Sequence, residues 1–221
     1  MAAFHLGRTE LPEAFPIFPL PGALLLPRSK LPLNIFEPRY LAMVEDALGA
    51  GRMIAMIQPD ASAPATAKGP GLFRVGCLGR LTSFSESDDG RYQITLAGVT
   101  RFRVVEELET IRGYRRVRGD YSPFVMDLDP SAQPAGVARA ALSAALEQFF
   151  SHRNINANWE AIRSLPETAF GLTLAMVCPF EPAEKQALLE APTDAERDRT
   201  LLALLQMAAM DNDDGSSRPA S

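Results

Sequence analysis

Short apolar runs separated by proline and glycine occupy the first half of the chain. They include residues 15–20 (FPIFPL), 23–27 (ALLLP) and 31–36 (LPLNIF). Because proline cannot donate a hydrogen bond to a sheet, this spacing favours edges and bends of a β structure. One helical stretch follows, opening at Pro38, whose fixed φ suits the first position of a helix, and ending at Gly49. The pattern predicts a β region that contains one short helix.

Strand-like runs continue beyond this helix. Residues 52–58 (RMIAMIQ) predict a buried strand, and the Pro-, Ala- and Gly-rich residues 59–71 predict a mobile surface loop. Further strands are predicted over 72–84, 91–98, 100–109 and 113–124. The pair Asp89-Gly90 is the strongest hairpin-turn signal in the chain, and it joins the first two of these strands.

Helical periodicity replaces the strand pattern at about residue 127. A wide apolar stripe over residues 137–150 indicates a long helix. The segments 164–167 (SLPE) and 193–196 (TDAE) fit the capping box, in which a hydroxyl and a carboxylate satisfy free N–H groups at a helix start. We therefore expect helices to begin near Ser164 and Thr193, with a short helix before the first and another opening at Pro182.

These patterns predict an α+β chain in two parts with a tail. A length of 221 residues accommodates one large domain or two small subdomains. Residues 12–126 are expected to form a β subdomain, and residues 127–210 a helical subdomain. The polar residues 211–221 (DNDDGSSRPAS) cannot bury a core and are expected to be disordered.

Composition and charge narrow the classes of function. Hydrophobic residues make up 47% of the chain and the net charge is −5, which weighs against a general nucleic-acid binder. The N-terminus has no basic start followed by an apolar core, and no apolar run reaches the roughly 18 residues of a membrane span. We expect a cytoplasmic protein that does not enter a membrane.

Residues that could carry catalysis or bind a cofactor are scarce. The two cysteines, Cys77 and Cys178, lie far apart in apolar stretches, and the two histidines, His5 and His152, have no potential metal ligands around them. A zinc site or a Ser-His-Asp triad is therefore not expected, and there is no G-x-S-x-G motif to support a hydrolase. The Gly/Lys cluster at 67–71 (AKGPG) lacks the order of a phosphate-binding loop. The sequence predicts a non-enzyme without a cofactor or metal.

Three segments carry a resemblance to a known family. Residues 33–40 (LNIFEPRY) resemble the L-x-I-F-E-P-R-Y signature of the Lon protease N-terminal domain. Residues 96–103 (LAGVTRFR), after the Asp89-Gly90 turn, are similar to its G-x-x-R-F-R hairpin, and residues 184–190 (EKQALLE) to its K-Q-x-L-L-E segment. The resemblance runs from about residue 14 to about residue 208. The first motif is the specific one, and the order and spacing of the three strengthen it.

The resemblance implies a fold and a role. The implied fold is a PUA-like twisted β-barrel subdomain with one short helix, followed by a C-terminal helical bundle, in agreement with the hydrophobic pattern. The implied role is recognition of unfolded or tagged protein segments, with an ATP-dependent protease as a partner. The chain departs from full-length Lon because it contains neither the ATPase motif nor a counterpart of the proteolytic domain.

Candidate protein-contact residues lie in the proline-punctuated runs and in the first motif. They are Phe18, Leu24, Leu25, Phe36, Arg39 and Tyr40. Half-exposed apolar side chains here would form a groove for unfolded chains, whereas the alternative is that they belong to the core of the barrel. For the segment 37–40 (EPRY), the alternative to a recognition site is a helix start, with Arg39 paired to a carboxylate and Tyr40 packed inward.

A basic cluster offers a second candidate function. Arg112, Arg116 and Arg118 could bind single-stranded RNA, with neighbouring tyrosines stacking on bases. The alternative is a solvated strand face in which the cluster, which also includes Arg115, pairs with the glutamates at 106, 107 and 109. The acidic net charge favours the ion-pair alternative.

Overall fold

The computed structural model describes residues 10–129, 137 and 139–210, and the side chains up to residue 208. The chain divides into two compact units: Met1–Ala132 with Pro179–Leu189, and Gln133–Cys178 with Glu190–Ser221. The predicted tail, 211–221, lies outside the described residues. The boundary expected near residue 127 remains a prediction, to which the structure adds the return of residues 179–189 to the first unit.

Six strands, one helix and a 3₁₀ segment make up most of the first unit. They are β1 (Ala14–Pro19), β2 (Lys30–Ile35), α1 (Pro38–Gly49), β3 (Met53–Ile57), β4 (Val75–Glu86), β5 (Tyr92–Ile111), β6 (Tyr114–Asp120) and the 3₁₀ segment Ser122–Leu128. The sheet order is β2-β5-β4-β3-β1-β6, and β6 pairs with β5 as well. Five strands therefore pair in a closed, barrel-like ring, with β2 added at the side. The sheet is mixed because β1 and β3 run parallel.

Strand β5 is longer than the sequence indicates. The hairpin predicted at Asp89-Gly90 is present, but the separate strands expected over 91–98 and 100–109 are one strand of 20 residues. A register shift between Leu78 and Gly79 absorbs one extra residue of β5 at this point. Gly98 lies there, and a Cβ atom on it would collide with the carbonyl oxygen of Leu26. The chain thus passes through the expected break by a bulge instead of a loop.

The core of the ring is built around two phenylalanines. Phe15 and Phe102 contact edge to face, with ring centroids 4.8 Å apart, and both are buried. Glycines leave room for the rings: a Cβ on Gly76 would lie 2.5 Å from Cζ of Phe102, and one on Gly119 would lie 2.6 Å from Cζ of Phe15. Gly76 and Gly119 therefore have a packing role in this core.

Helix α5 (Pro182–Glu190) returns the chain to the first unit. Lys185 Nζ donates to the carbonyl oxygen of Gly22 at 2.6 Å, and Gln186 Nε2 donates to that of Val75 at 3.1 Å. Leu188 and Leu189 are buried beside them. The K-Q-x-L-L-E segment therefore attaches a distant part of the chain to the first unit through hydrogen bonds and buried leucines.

The second unit contains four helices in its described part. They are α2 (Arg139–His152), α3 (Trp159–Arg163), α4 (Glu167–Val177) and α6 (Asp194–Met210). The capping box at Thr193 is confirmed, because the Glu196 N–H donates to Thr193 Oγ1 at 3.2 Å. The one expected at Ser164 is wrong: that residue ends α3, its hydroxyl donates to Ala161, and α4 starts after Pro166. Within the described residues, no helix combines the length and apolar character of a membrane crossing.

A buried carboxyl group makes the second unit sensitive to pH. Asp198 on α6 is buried and packs where a Cβ of Gly171 on α4 would be. Burial raises the pKa of Asp198, while the charge of Arg197 opposes this and that of Asp194 adds to it. Because the folded state then binds the proton more tightly than the unfolded state, this group favours folding less as the pH rises through its folded pKa.

Replacing Asp198 with asparagine is therefore expected to raise the melting temperature of the chain at pH 7, and the gain should shrink towards pH 4. Asparagine keeps the shape of the side chain without a charge that must be buried. Thermal unfolding of both proteins by circular dichroism between pH 4 and pH 8 measures the effect. A variant less stable than the wild type at pH 7 would show that the Arg197 charge outweighs burial.

Candidate functional site

Four of the six candidate contact residues have buried side chains. Phe18, Leu24, Leu25 and Tyr40 all belong to the core of the first unit. Phe18 and Tyr40 pack on each other, with ring centroids 4.2 Å apart. The structure thus places these four where the core alternative puts them, and only Phe36 and Arg39 of the candidate set face solvent.

The segment 37–40 (EPRY) forms the start of α1. Pro38 occupies the first turn, and Glu37 precedes it in extended conformation. Arg39 donates to Glu37 Oε2 from Nε at 3.0 Å and from Nη2 at 2.8 Å, and its guanidinium lies 4.6 Å from the centre of the Tyr40 ring. Burial raises the pKa of Tyr40. This geometry matches the helix-start interpretation, and it leaves the Arg39 side chain half exposed.

An exposed aromatic surface lies at the end of the β4–β5 hairpin. It consists of Phe36, Phe84, Tyr92 and Arg91, and we call it the hairpin patch. Phe36 is 63% exposed and Phe84 is 40% exposed. The Phe84 and Tyr92 rings contact edge to face at 5.0 Å, and the Arg91 guanidinium lies 5.9 Å from the centre of the Phe36 ring. Two large apolar side chains thus remain in solvent on a framework of paired strands.

A line of polar contacts connects the hairpin patch to α1 and to the turn before β6. The Tyr92 hydroxyl donates to Glu45 at 3.1 Å, and Arg112 donates to both Glu45 and Asp46 at 2.7 Å. The Tyr114 hydroxyl donates to Asp46 at 2.9 Å. The hydrogen bond from Arg112 lowers the pKa of Glu45, so this carboxylate is ionised at neutral pH. The contacts hold the Tyr92 ring in a defined orientation.

The basic cluster is divided among ion pairs. Arg112 pairs with carboxylates of α1, Arg118 pairs with Glu106 at 2.9 Å, and the buried Arg115 pairs with Glu107 at 2.7 Å. Pairing with the upstream glutamates is therefore confirmed for two of the four arginines. Arg116 is the exception: no carboxylate of the described residues lies within ion-pair distance of it. A surface already neutralised in this way favours the ion-pair interpretation over RNA binding.

Phe84, Arg91 and Tyr92 are not among the candidate residues that the sequence suggests. A signal for them was present, because these residues flank the Asp89-Gly90 turn and a tight hairpin brings the side chains on either side of it together. Phe36 belongs to the first motif but contacts Arg91 only because β2 pairs with β5. That pairing is a long-range feature of the fold.

The described residues contain no group of three or more His, Cys, Asp or Glu side chains placed to hold a metal ion. Cys77 and Cys178 are both buried. Burial raises the pKa of the Cys77 thiol, so this cysteine lacks the thiolate character that a nucleophile needs. The exposed side chains of the hairpin patch are aromatic, and Arg91 beside them is ion-paired with Asp89, so the patch suits apolar contact with another chain.

The sequence of the chain is similar to those of known proteins. The chain matches the family model of the ATP-dependent protease La (LON) substrate-binding domain over residues 14–207. It is 31% identical over 134 residues to Lon protease 2 of Sorangium cellulosum, which covers 58% of this chain and 16% of that protein. It is 25% identical over 207 residues to Lon protease 2 of Thermus thermophilus, covering 89% and 24%. The chain thus spans a quarter or less of the length of these relatives.

Two solved structures share the fold. The crystal structure of a Lon N-terminal domain protein from Xanthomonas campestris has a TM-score of 0.57 and 24% identity, covering 86% of this chain and 97% of the other. The N-terminal domain of a Lon protease from the Mycobacterium avium complex also has a TM-score of 0.57, with 15% identity and coverages of 90% and 98%. These likenesses confirm the predicted α+β fold class.

Proposed function

The chain belongs to the family of substrate-binding domains of the ATP-dependent protease La (Lon), and from this premise we propose that it is a non-catalytic, cytoplasmic module that binds unfolded or tagged protein segments. The hairpin patch is the observation that carries the proposal. Unfolded segments present apolar side chains that a folded protein would bury, and the patch offers exposed aromatic rings to receive them.

The hairpin patch has the physical properties of a contact surface. Aromatic side chains bury a large area at a low cost in conformational entropy, and they are enriched among the residues that dominate binding energy. The rings are positioned before a ligand arrives, because Tyr92 is held by Glu45 and packs on Phe84. The guanidinium of Arg91 lies beside the Phe36 ring but is ion-paired with Asp89 at 2.9 Å, so the patch is chiefly apolar and apolar segments are the preferred ligands.

An ATP-dependent protease is the proposed partner. The matched relatives are Lon proteases of which this chain covers 24% or less, so most of their length has no counterpart in it. The matched region is the substrate-binding domain of such a protease, so we propose that the chain binds a segment and leaves its cleavage to the protease. We therefore expect the purified chain to bind an unfolded protein without cleaving it.

Replacing both Phe36 and Phe84 with serine is expected to weaken binding of an unfolded protein at least tenfold. Loss of one well-packed aromatic contact costs about 2 kcal/mol or more, and tenfold corresponds to about 1.4 kcal/mol. The measurement is fluorescence anisotropy of a labelled, reduced and carboxymethylated model protein titrated with each variant. The matched control is Val105→Ser, which removes an exposed apolar side chain of β5 outside the hairpin patch.

The control should bind as the wild type does. Equal affinities of the wild type and the Phe36/Phe84 double variant would show that the hairpin patch is not the binding surface. Absence of binding by the wild type itself, at protein concentrations up to about 1 mM, would overturn the proposed function, because such an interaction would be weaker than about 4 kcal/mol.

A further inference from the structure

A second surface of the first unit combines an apolar groove with an arginine that has no ion-pair partner among the described residues. The groove lies between the C-terminal end of α1 and strands β1 and β6, and its volume is about 160 Å³. Ala14, Pro16, Ala47, Ala50 and Ile111 supply apolar lining. An apolar cavity of roughly 150 Å³ can hold a benzene ring. The groove therefore has room for one apolar side chain.

Two charged residues line the groove, and they differ in their surroundings. Asp46 accepts hydrogen bonds from Arg112 at 2.7 Å and from Tyr114 at 2.9 Å, so its charge is already compensated. Arg116 also lines the groove, and within the described part of the chain it has no ion-pair partner. The uncompensated charge of the groove is positive, so its ligand should combine an apolar side chain with a negative group.

We propose that this groove binds the C-terminal residue of a protein segment, with an apolar side chain in the groove and the terminal carboxylate on Arg116. This inference goes beyond the proposed function, on which it rests, by naming the end of the chain that the module would select. An arginine binds a carboxylate through two parallel N–H···O bonds, which gives both strength and orientation.

The compact groove favours a terminal carboxylate over an acidic side chain. In an extended segment, neighbouring side chains point to opposite faces, so an Asp or Glu next to the apolar residue would point away from Arg116. The α-carboxylate of a C-terminal residue is attached to the same Cα atom as the side chain in the groove. Both groups can therefore reach one site of this size.

The experiment compares two labelled peptides that differ only at the terminus. Both are flexible dodecapeptides in which glycine and serine are followed by a C-terminal Ala-Leu. One peptide has a free C-terminal carboxylate, and in the other this group is amidated. Anisotropy titrations with the full chain should show at least tenfold tighter binding of the free acid. Arg116→Gln should abolish the difference and Arg116→Lys should retain part of it. Ala50→Leu, which fills the groove, should weaken binding of the free acid at least tenfold.

The matched control is Arg118→Gln, two residues along the same strand face, where the arginine is already paired with Glu106. It should preserve the preference for the free acid. Equal binding of acid and amide, no binding of either, or a preference that survives Arg116→Gln would overturn the inference. So would binding that appears only after residues 1–9 are deleted, or a dimer that Ala50→Leu dissociates, because the groove would then hold this chain's own residues.

The groove proposal can be wrong while the proposed function is right. If the wild type binds the unfolded model protein through the hairpin patch but treats acid and amide alike, only the groove proposal falls. If neither the unfolded protein nor the peptides bind, both fall.

Discussion

Replacing Asp127 with alanine is expected to destabilise the chain by about 3–5 kcal/mol, because it leaves a buried guanidinium without its counter-charge. Both Asp127 and Arg101 have side chains only 9% exposed. Asp127 accepts from Nε of Arg101 at 2.9 Å, from Nη2 at 2.8 Å and from the backbone N–H of Arg101 at 2.9 Å. All three bonds disappear in the variant, while the charge of Arg101 stays buried.

Chemical denaturation followed by circular dichroism measures this loss. The matched control is Glu106→Ala, which breaks the exposed pair of Glu106 with Arg118 and should cost no more than about 1 kcal/mol. Similar losses for the two variants would mean that Arg101 relaxes into solvent when Asp127 is removed. The ion pair of Arg101 with Asp127 would then not be what holds the 3₁₀ segment against β5.

Replacing Phe102 with alanine is expected to cost about 3–5 kcal/mol of stability through loss of buried area and the cavity left behind. Phe102 is fully buried and its ring contacts Phe15. The cavity cannot collapse easily, because Gly76 and Gly119 next to the two rings have no side chains that could move into it. The backbone of β4 and β6 would have to shift instead.

The comparison for this variant is Phe84→Ala on the same hairpin. Phe84 is half exposed, so its removal should change stability by roughly 0.5 kcal/mol or less while weakening binding. Urea unfolding of both variants at one protein concentration gives the two free energies. Equal losses would contradict the assignment of Phe102 to the core and of Phe84 to the surface.

The contrast between Phe18 and Phe36 shows where sequence reasoning stops. Both lie in apolar runs broken by prolines, and both are candidates for protein contact on sequence grounds. Phe18 lies on β1 and packs against Tyr40 of α1, so it is buried although Ile17 beside it is buried too. Phe36 follows β2, which among the described strands pairs with β5 alone, and it stays exposed. The local sequence pattern predicts that both side chains are apolar. It cannot predict that α1 covers Phe18 while Phe36 stays exposed, because that depends on the tertiary structure.

Long-range polar contacts are a second feature that the sequence does not predict. Arg101, Lys185 and Gln186 have the composition of a protein surface, yet all three are buried. Their partners lie 26 to 163 positions away along the chain. Local sequence signals predict the structure correctly at three places. Pro38 marks the start of α1, Asp89-Gly90 marks the hairpin turn, and Thr193 marks the start of α6. In each of these cases the residues that determine the structure lie within one turn of one another.

The return of α5 to the sheet determines the order in which the nascent protein can fold. The first unit is discontinuous, and its carbonyl oxygens at Gly22 and Val75 accept hydrogen bonds from Lys185 and Gln186. On a ribosome that adds roughly 5–20 residues per second, the about 60 residues from Asp129 to Leu189 take roughly 3–12 s to synthesise. Throughout that interval the strands have been synthesised, but α5, which contacts them, has not. A stop codon placed after the sheet would therefore release an incomplete domain, and a stable fragment must carry residues 179–189.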